Sequence, residues 1–277
     1  MTETEFKLAG VVGFPIGHSR SPRLHRHWLR SYGIPGDYVP LQVERDNFEA
    51  VIRMLPKMGF VGCNVTIPHK LAALDIADQV TDRATLIGSA NTLIFRADGK
   101  IHADNTDGYG FIANLRQNAP DWDPAAGPAA VIGAGGAARA VIVSLLDAGA
   151  PEILLSNRTR LNADSLRATF GSKVTVVDWV HAGAMLNEAA TVVNTSSMGM
   201  TGGPEFKLNL EHLNPRSVVT DLVYTPLRTR LLDVAEEVGC TTVDGLGMLL
   251  HQAVPGFERW FGHRPEVDAA TRAAVLA

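Results

Sequence analysis

Short apolar runs bounded by polar, glycine- or proline-bearing turns recur along the chain, and between most of them apolar residues return at three- and four-residue intervals. Such alternation predicts buried strands joined by amphipathic crossover helices, and hence a mostly parallel sheet. AGVVGF (9–14) reads as the first strand. A helix follows from about Pro22, whose fixed φ suits a first helical turn. Asp46 and Glu49 form an apparent capping pair for a helix over 47–55, and FVGCNVT (60–66) is a buried-strand pattern. NTLIF (91–95), the turn ADGK (97–100) and IHA (101–103) predict a hairpin at a sheet edge.

APDWDPAAGP (119–128), with its three prolines and a glycine, marks a surface connection before a second series. AAVI (129–132), EILLS (152–156), KVTVV (173–177), ATVVN (190–194) and SVVTDLV (217–223) are its strands, at the spacing of a doubly wound sheet. GMLLHQAVPGFERWFG (247–262) reads as a helix returning to the first domain, kinked or interrupted at Pro255 and Gly256. The expected α/β fold therefore has two domains. Residues 1–104 with 247–277 form a mainly parallel α/β domain, and 105–246 a Rossmann-type doubly wound dinucleotide-binding domain. A length of 277 residues agrees, exceeding the common single-domain size of roughly 100–150.

With 46% hydrophobic and 19% charged residues the chain can bury a core and is not a disordered sequence. Its net charge of −4, with no run of lysines and arginines, argues against a nucleic-acid partner. No stretch approaches the roughly 18 consecutive apolar residues of a membrane span. The opening MTETEFKLAG is acidic where a secretory signal is basic. Cys63 and Cys240, without CxxC spacing, read as buried thiols of a reducing compartment, so a cytoplasmic location is expected.

The chemistry begins at AVIGAGGAARAVIVSLLDAG (130–149), where Gly133, Gly135 and Ala138 stand in a GxGxxA pattern between a strand and a helix. Gly133 permits the tight turn, Gly135 lets backbone approach a pyrophosphate, and Ala138 allows close helix packing. Ala134, Gly136 and Ala137 complete the phosphate-binding turn. The next strand ends in Ser156, Asn157, Arg158 and Thr159, with Arg160 following. An acidic residue there would suit the ribose hydroxyl of NAD, whereas a guanidinium beside amide and hydroxyl donors suits the 2′-phosphate of NADP. NADP is the cofactor expected.

Four polar clusters remain: GFPIGHSRSP (13–22), NVTIPHK (64–70), SANTL (89–93) and DNTDG (104–108). Each alone could be a cap or a turn, but together they fall at strand ends, where an open sheet presents its ligands. In order and spacing they closely resemble the shikimate dehydrogenase family. The resemblance spans nearly the whole chain, continuing through NRT (157–159), DLVYTPLRTRLL (221–232) and DGLGMLLHQA (244–253).

That resemblance implies NADPH-dependent, reversible reduction of 3-dehydroshikimate to shikimate, by hydride transfer with one acid/base group. It assigns this role to Lys70, with Asp107 beside it at the reacting hydroxyl. Ser19 and Ser21 supply hydroxyls for the substrate carboxylate; Asn64, Thr66, Asn91 and Gln252 are implied for the ring hydroxyls, with Tyr224 nearby. Leu222, Gly245, Met248, Ser196 and Asp82 are implied at the cofactor. Asn162 stands where the family often has a second basic residue, which leaves Arg160 as a substitute and weakens the implied clamp. Reaction is expected in a cleft between the domains, in a monomer or homodimer. Two further readings stay open: an NAD-preferring quinate or shikimate dehydrogenase, disfavoured by Arg158, and a noncatalytic nucleotide-binding sensor, disfavoured by Lys70 and Asp107. No metal is expected. His25 and His27 read as solvated helix residues, His69 as a neighbour of Lys70 without a metal role, and Arg20 and Arg23 as surface groups.

Overall fold

The computed structural model describes residues 6–277; the acidic opening MTETE lies outside them. The chain divides into two compact units, one running to Thr106 and resuming at Leu249–Ala277, the other Asp107–Met248.

The first unit begins with β1 (Lys7–Gly13), α1 (Ser21–Ser31), β2 (Gly36–Gln42), α2 (Phe48–Met54), β3 (Phe60–Val65), α3 (Lys70–Asp75), β4 (Gln79–Val80), α4 (Asp82–Ile87), β5 (Thr92–Phe95) and β6 (Ile101–Asp104). Its sheet has the order β2-β1-β3-β5-β6-β4. β1 runs parallel to β2 and β3, and β5 antiparallel to β3 and β6. The predicted hairpin therefore forms, but inside the sheet rather than at its edge, because the two-residue β4 pairs along the outer side of β6. β2 has no strand pattern strong enough to predict. Among the described residues it pairs only with β1, and an edge strand tolerates its Pro40. The expected capping pair does not form either: Asn47 caps α2 without a side-chain bond, and Glu49 instead pairs with Arg53 one turn on at 2.9 Å. α1 buries Leu24, His25, Trp28 and Leu29, a stripe at helical spacing with Pro22 in its first turn.

The second unit contains α5 (Asp107–Asn118), β7 (Ala129–Ile132), α6 (Gly136–Ala148), β8 (Ile153–Ser156), α7 (Arg160–Phe170), β9 (Val174–Val176), β10 (Thr191–Asn194), β11 (Val218–Asp221), α8 (Arg230–Val238) and β12 (Thr241–Val243). All its strands are parallel, in the order β12-β11-β10-β7-β8-β9. The chain thus winds outward from β7 in both directions, and the order reverses between β7 and β10, where such sheets bind ligands. Alternate residues explain the two cores. Val131, Leu155 and Val193 face one layer with α6, while Ile132, Leu154 and Val192 face the other with α8.

The boundary back to the first unit falls within α9 (Leu246–Phe261), after which comes α10 (Ala269–Leu276). Of the two expected outcomes at Pro255, interruption does not occur: α9 continues through it. An internal proline costs about 3 kcal/mol, but Phe257, Trp260 and Phe261 are all buried, at about 1.5–3 kcal/mol each, so packing wins. Gly256 is needed here because a β-carbon would come within 2.9 Å of the Trp260 ring. Among the described residues no helix is long and apolar enough to cross a membrane.

Candidate active site

In the first unit, β1, β3 and β6 end, and the antiparallel β5 begins, at the same side of the sheet. The polar clusters are carried there. Ser19 and Ser21 occupy the turn from β1 into α1, where the Ser21 amide donates to Ser19 Oγ at 3.3 Å. Ser19 is half-buried and Ser21 buried. Thr66, just past β3, is held by its amide on the Val12 carbonyl, and its own carbonyl accepts from His69. Lys70, half-buried, opens α3, and its carbonyl accepts from the Ala90 amide at 2.9 Å, which ties it to the start of β5.

Asn64, Asn91 and Gln252 belong to one buried network. Asn91 Nδ2 donates to Gln252 Oε1 at 3.2 Å, and Asn91 Oδ1 accepts from the Thr106 amide and the Thr92 hydroxyl, both at 2.8 Å. Asn64 accepts from the Tyr38 hydroxyl and donates toward β5. The first unit thus brings seven of the expected residues to one sheet end: Ser19, Ser21, Asn64, Thr66, Lys70, Asn91 and Gln252. Asp107 and Tyr224, by contrast, belong to the second unit, Asp107 as the buried first residue of α5 and Tyr224 half-buried after β11.

Neighbouring residues of the same motifs are structural. Asp104 is fully buried, with Arg83 in a two-point contact, Arg259 at 2.7 Å and the Thr81 hydroxyl at 2.8 Å. Burial alone would raise its pKa, but hydrogen bonding and charge from Arg83, with Thr81 and Arg259, hold it down at about 2. His69 stacks on Phe48 and its Nε2 meets the Val43 carbonyl at 2.7 Å. His25 is not solvated as expected: it is fully buried, stacked on Tyr38 at 3.8 Å, because α1 turns it onto the sheet. His27 and Arg20 are half-buried, and Arg23 is exposed. Among the described residues no three His, Cys, Asp or Glu gather as a metal would require.

The second unit carries the glycine turn. Gly133 has φ +110°, and a β-carbon there would meet Thr195 Oγ1 at 2.9 Å and Ser196 N at 3.0 Å. A side chain is excluded twice, by conformation and by space. Gly135 caps the thirteen-residue α6 in extended conformation. A β-carbon built on Gly135 or Gly136 meets nothing within 4 Å, so the backbone there faces open space at the positive end of a helix. Ala134 and Ala137 flank it. Asn157 Oδ1 accepts from the Ala134 amide at 3.2 Å, and its Nδ2 donates to the Thr159 carbonyl at 2.8 Å, joining the turn to the β8–α7 loop. Arg158 and Thr159 are exposed there. Arg160 is engaged elsewhere, with Asp178 and, at 3.4 Å, Asp164. An open helix terminus flanked by an exposed guanidinium and hydroxyl fits a dinucleotide carrying an extra phosphate.

Two residues that sequence reading passed over organise this end of the sheet. Asn194 donates to Asp221 Oδ1 at 2.9 Å and to the Met198 carbonyl at 3.1 Å, while its Oδ1 accepts from the Ser196 amide and hydroxyl. Asp221 also accepts from the Val223 amide and the Thr229 hydroxyl. Its burial pushes its pKa up to about 6 despite those donors. Their signal lay in NTSSMGM and DLV, polar residues closing apolar strands. Leu222 is half-buried beyond Asp221, and its carbonyl would be 2.5 Å from a β-carbon on Gly245. Met248 packs against one core while Met198 is buried in the other, and Met200 is exposed. Asp82 is an exposed residue of the first unit.

Three family models match the chain: the shikimate dehydrogenase substrate binding domain over residues 11–93, shikimate / quinate 5-dehydrogenase over 120–206, and the shikimate 5′-dehydrogenase C-terminal domain over 245–275. A shikimate dehydrogenase (NADP(+)) of Cereibacter sphaeroides strain KD131 is 67% identical over 278 positions, covering 100% of both chains. The structure of shikimate 5-dehydrogenase from Thermus thermophilus in complex with NADP(H) and shikimate is 33% identical, with a TM-score of 0.87 over 98% of this chain and 99% of that one. Quinate dehydrogenase from Corynebacterium glutamicum in complex with NAD is 29% identical, with a TM-score of 0.90 over 98% and 99%.

Proposed function

We propose that this chain, which belongs to the shikimate dehydrogenase family, catalyses the reversible, NADPH-dependent reduction of 3-dehydroshikimate to shikimate. The observation that carries the reading is the gathering of Lys70 with Asn64, Thr66, Asn91 and Gln252 at one sheet end, in a chain whose other unit offers an open glycine turn at a helix terminus.

NADPH, when bound, supplies the hydride that the substrate carbonyl carbon accepts. The residues that would hold it are Gly133, Ala134, Gly135, Gly136 and Ala137 at the pyrophosphate, and Asn157, Arg158 and Thr159 at the adenosine end. Ser196, Leu222, Gly245 and Met248 serve the remainder. Arg158 is the main cationic contact for the 2′-phosphate, because Arg160 already serves two carboxylates. Asp82, exposed on the first unit, is the remaining cofactor contact.

The protein's own chemistry is small. Lys70 gives a proton to the substrate oxygen as its carbon is reduced, and takes one back in the oxidative direction; Asp107 orients the ammonium and the reacting hydroxyl. Ser19 and Ser21 donate to the carboxylate. Asn64, Thr66, Asn91, Gln252 and Tyr224 fix the ring. One proton is consumed per hydride, and shikimate and NADP⁺ leave. The proposed setting is the cytoplasm, which suits the two buried thiols Cys63 and Cys240, with the protein a monomer or homodimer.

The test is oxidation of NADPH with 3-dehydroshikimate, run beside NADH and beside quinate in the oxidative direction. NADPH with 3-dehydroshikimate should be the fastest pair, and Lys70→Ala should lower kcat by about 10²–10⁴-fold. A faster reaction of quinate with NAD⁺ would shift the assignment to the quinate enzyme. An undiminished rate in Lys70→Ala would remove the proton carrier.

A further inference from the structure

Asn64 is buried at the end of β3, and its amide is held on three sides. Its Nδ2 donates to the Asn91 carbonyl at 3.1 Å and to Thr92 Oγ1 at 3.2 Å, and its Oδ1 accepts from the Tyr38 hydroxyl at 2.7 Å. The orientation is not arbitrary. A backbone carbonyl can only accept, so the atom facing Asn91 must be the nitrogen, and the oxygen must face Tyr38. Both amide hydrogens are thereby used, and one oxygen lone pair remains. Tyr38 itself has little freedom: it is fully buried in β2, its ring lying face to face with His25 at 3.8 Å and 2°, with Trp260 tilted against it at 6.1 Å.

We propose that Tyr38 is a positioning residue for substrate recognition: with the Asn91 carbonyl setting which way the Asn64 amide points, the Tyr38 hydroxyl holds its oxygen in place, so that Asn64 meets the ligand only as a hydrogen-bond acceptor. The site then selects a ring hydroxyl at that position and discriminates against a keto or ether oxygen, which would bring a second acceptor against the first. This inference rests on the assignment of Asn64 to the substrate site and adds the chemical polarity of its contact and the residue that holds the contacting oxygen in place. The aromatic stack supplies the stiffness, since a tyrosine unable to tilt holds its oxygen in one place.

A double-mutant cycle on the full chain tests it, with kcat and KM for shikimate, KM for NADP⁺ and melting temperature measured for Tyr38→Phe, Asn64→Ala and the pair. Tyr38→Phe keeps the stack and removes one oxygen. It should raise the shikimate KM by about three- to tenfold, as for loss of one hydrogen bond, with kcat and the NADP⁺ KM unchanged. In the Asn64→Ala background the same substitution should have no further effect on the shikimate KM. A purely structural tyrosine would instead lower the melting temperature and leave shikimate KM alone, or add an equal penalty in both backgrounds; either result overturns the proposal. Asn64→Ala with an unchanged shikimate KM would remove Asn64 from the substrate site, a separate failure. If Asn64→Ala does not fold, Asn64→Ser takes its place in the cycle.

Discussion

His25 occupies the first unit as an aromatic filler that happens to carry two nitrogens. Neither ring nitrogen has a hydrogen-bond partner among the described residues, and burial lowers its pKa to about 3. The unfolded chain binds this proton below about 6.5 and the folded chain only below about 3, so this group makes stability fall as pH drops through that interval. His25→Phe, which keeps the stack, should leave the melting temperature at neutral pH equal or higher, and flatten its decline between pH 6.5 and 3. An unchanged acid decline would show that another group carries it. Asp104 has the opposite design. Its folded pKa of about 2 lies below the ordinary 3.8, so its stabilisation is complete above 3.8 and lost as pH falls through 2. Asp104→Asn should cost about 3 kcal/mol, the low end for breaking a buried ion pair, because both guanidinium groups are partly solvated. Denaturant unfolding at neutral pH would read it. In the sequence Asp104 was indistinguishable from Asp107 within DNTDG; only the fold brings Arg83 and Arg259 onto Asp104.

Among the elements, the loop after β10 depends on two side chains that end adjacent strands. Asn194→Ala removes the bonds to Ser196, Met198 and Asp221, and should raise the NADP⁺ KM roughly tenfold while sparing the shikimate KM, the effect of one to two buried hydrogen bonds. Equal changes in both constants would mean general loosening. Asp221, raised to about 6, contributes stability that is full below 3.8 and lost as pH rises through 6. Asp221→Asn can still accept from Val223 and Asn194 and turn its amide to the Thr229 hydroxyl, so melting curves from pH 4 to 7 should lose that downward slope. β7, β8, β10 and β11 were legible because each is a run of apolar residues buried on both faces, and β9 because it alternates strongly enough. β2, β4 and β12 were not: they are edge strands or two to three residues long, and pairing rather than local preference makes them strands. The site was legible as a set of motifs, since polar residues closing apolar runs are visible without coordinates. Its internal bonding was not, because Tyr38, Asn64, Thr92 and Gln252 meet only across strands and a helix distant in sequence.

The molecule as a whole is two units threaded by one chain that leaves the first and returns to it. The returning segment supplies Trp260 to the Leu93 carbonyl at 3.0 Å, Arg259 to Asp104, and Thr271 to the Trp28 indole at 3.2 Å. A chain ending at Met248 should therefore keep the second unit cooperatively folded and able to bind NADP⁺ by calorimetry, while the first loses its protection from protease. A protease-resistant first unit in that truncation would contradict the dependence. The return path also imposes an order on biosynthesis. Residues 6–106 must wait for 249–277 to leave the exit tunnel before their unit can close, whereas residues 107–248 are contiguous and can settle while translation continues, so of the two units the one begun earlier is the one finished later, and meanwhile its unpaired surface is the charge of chaperones.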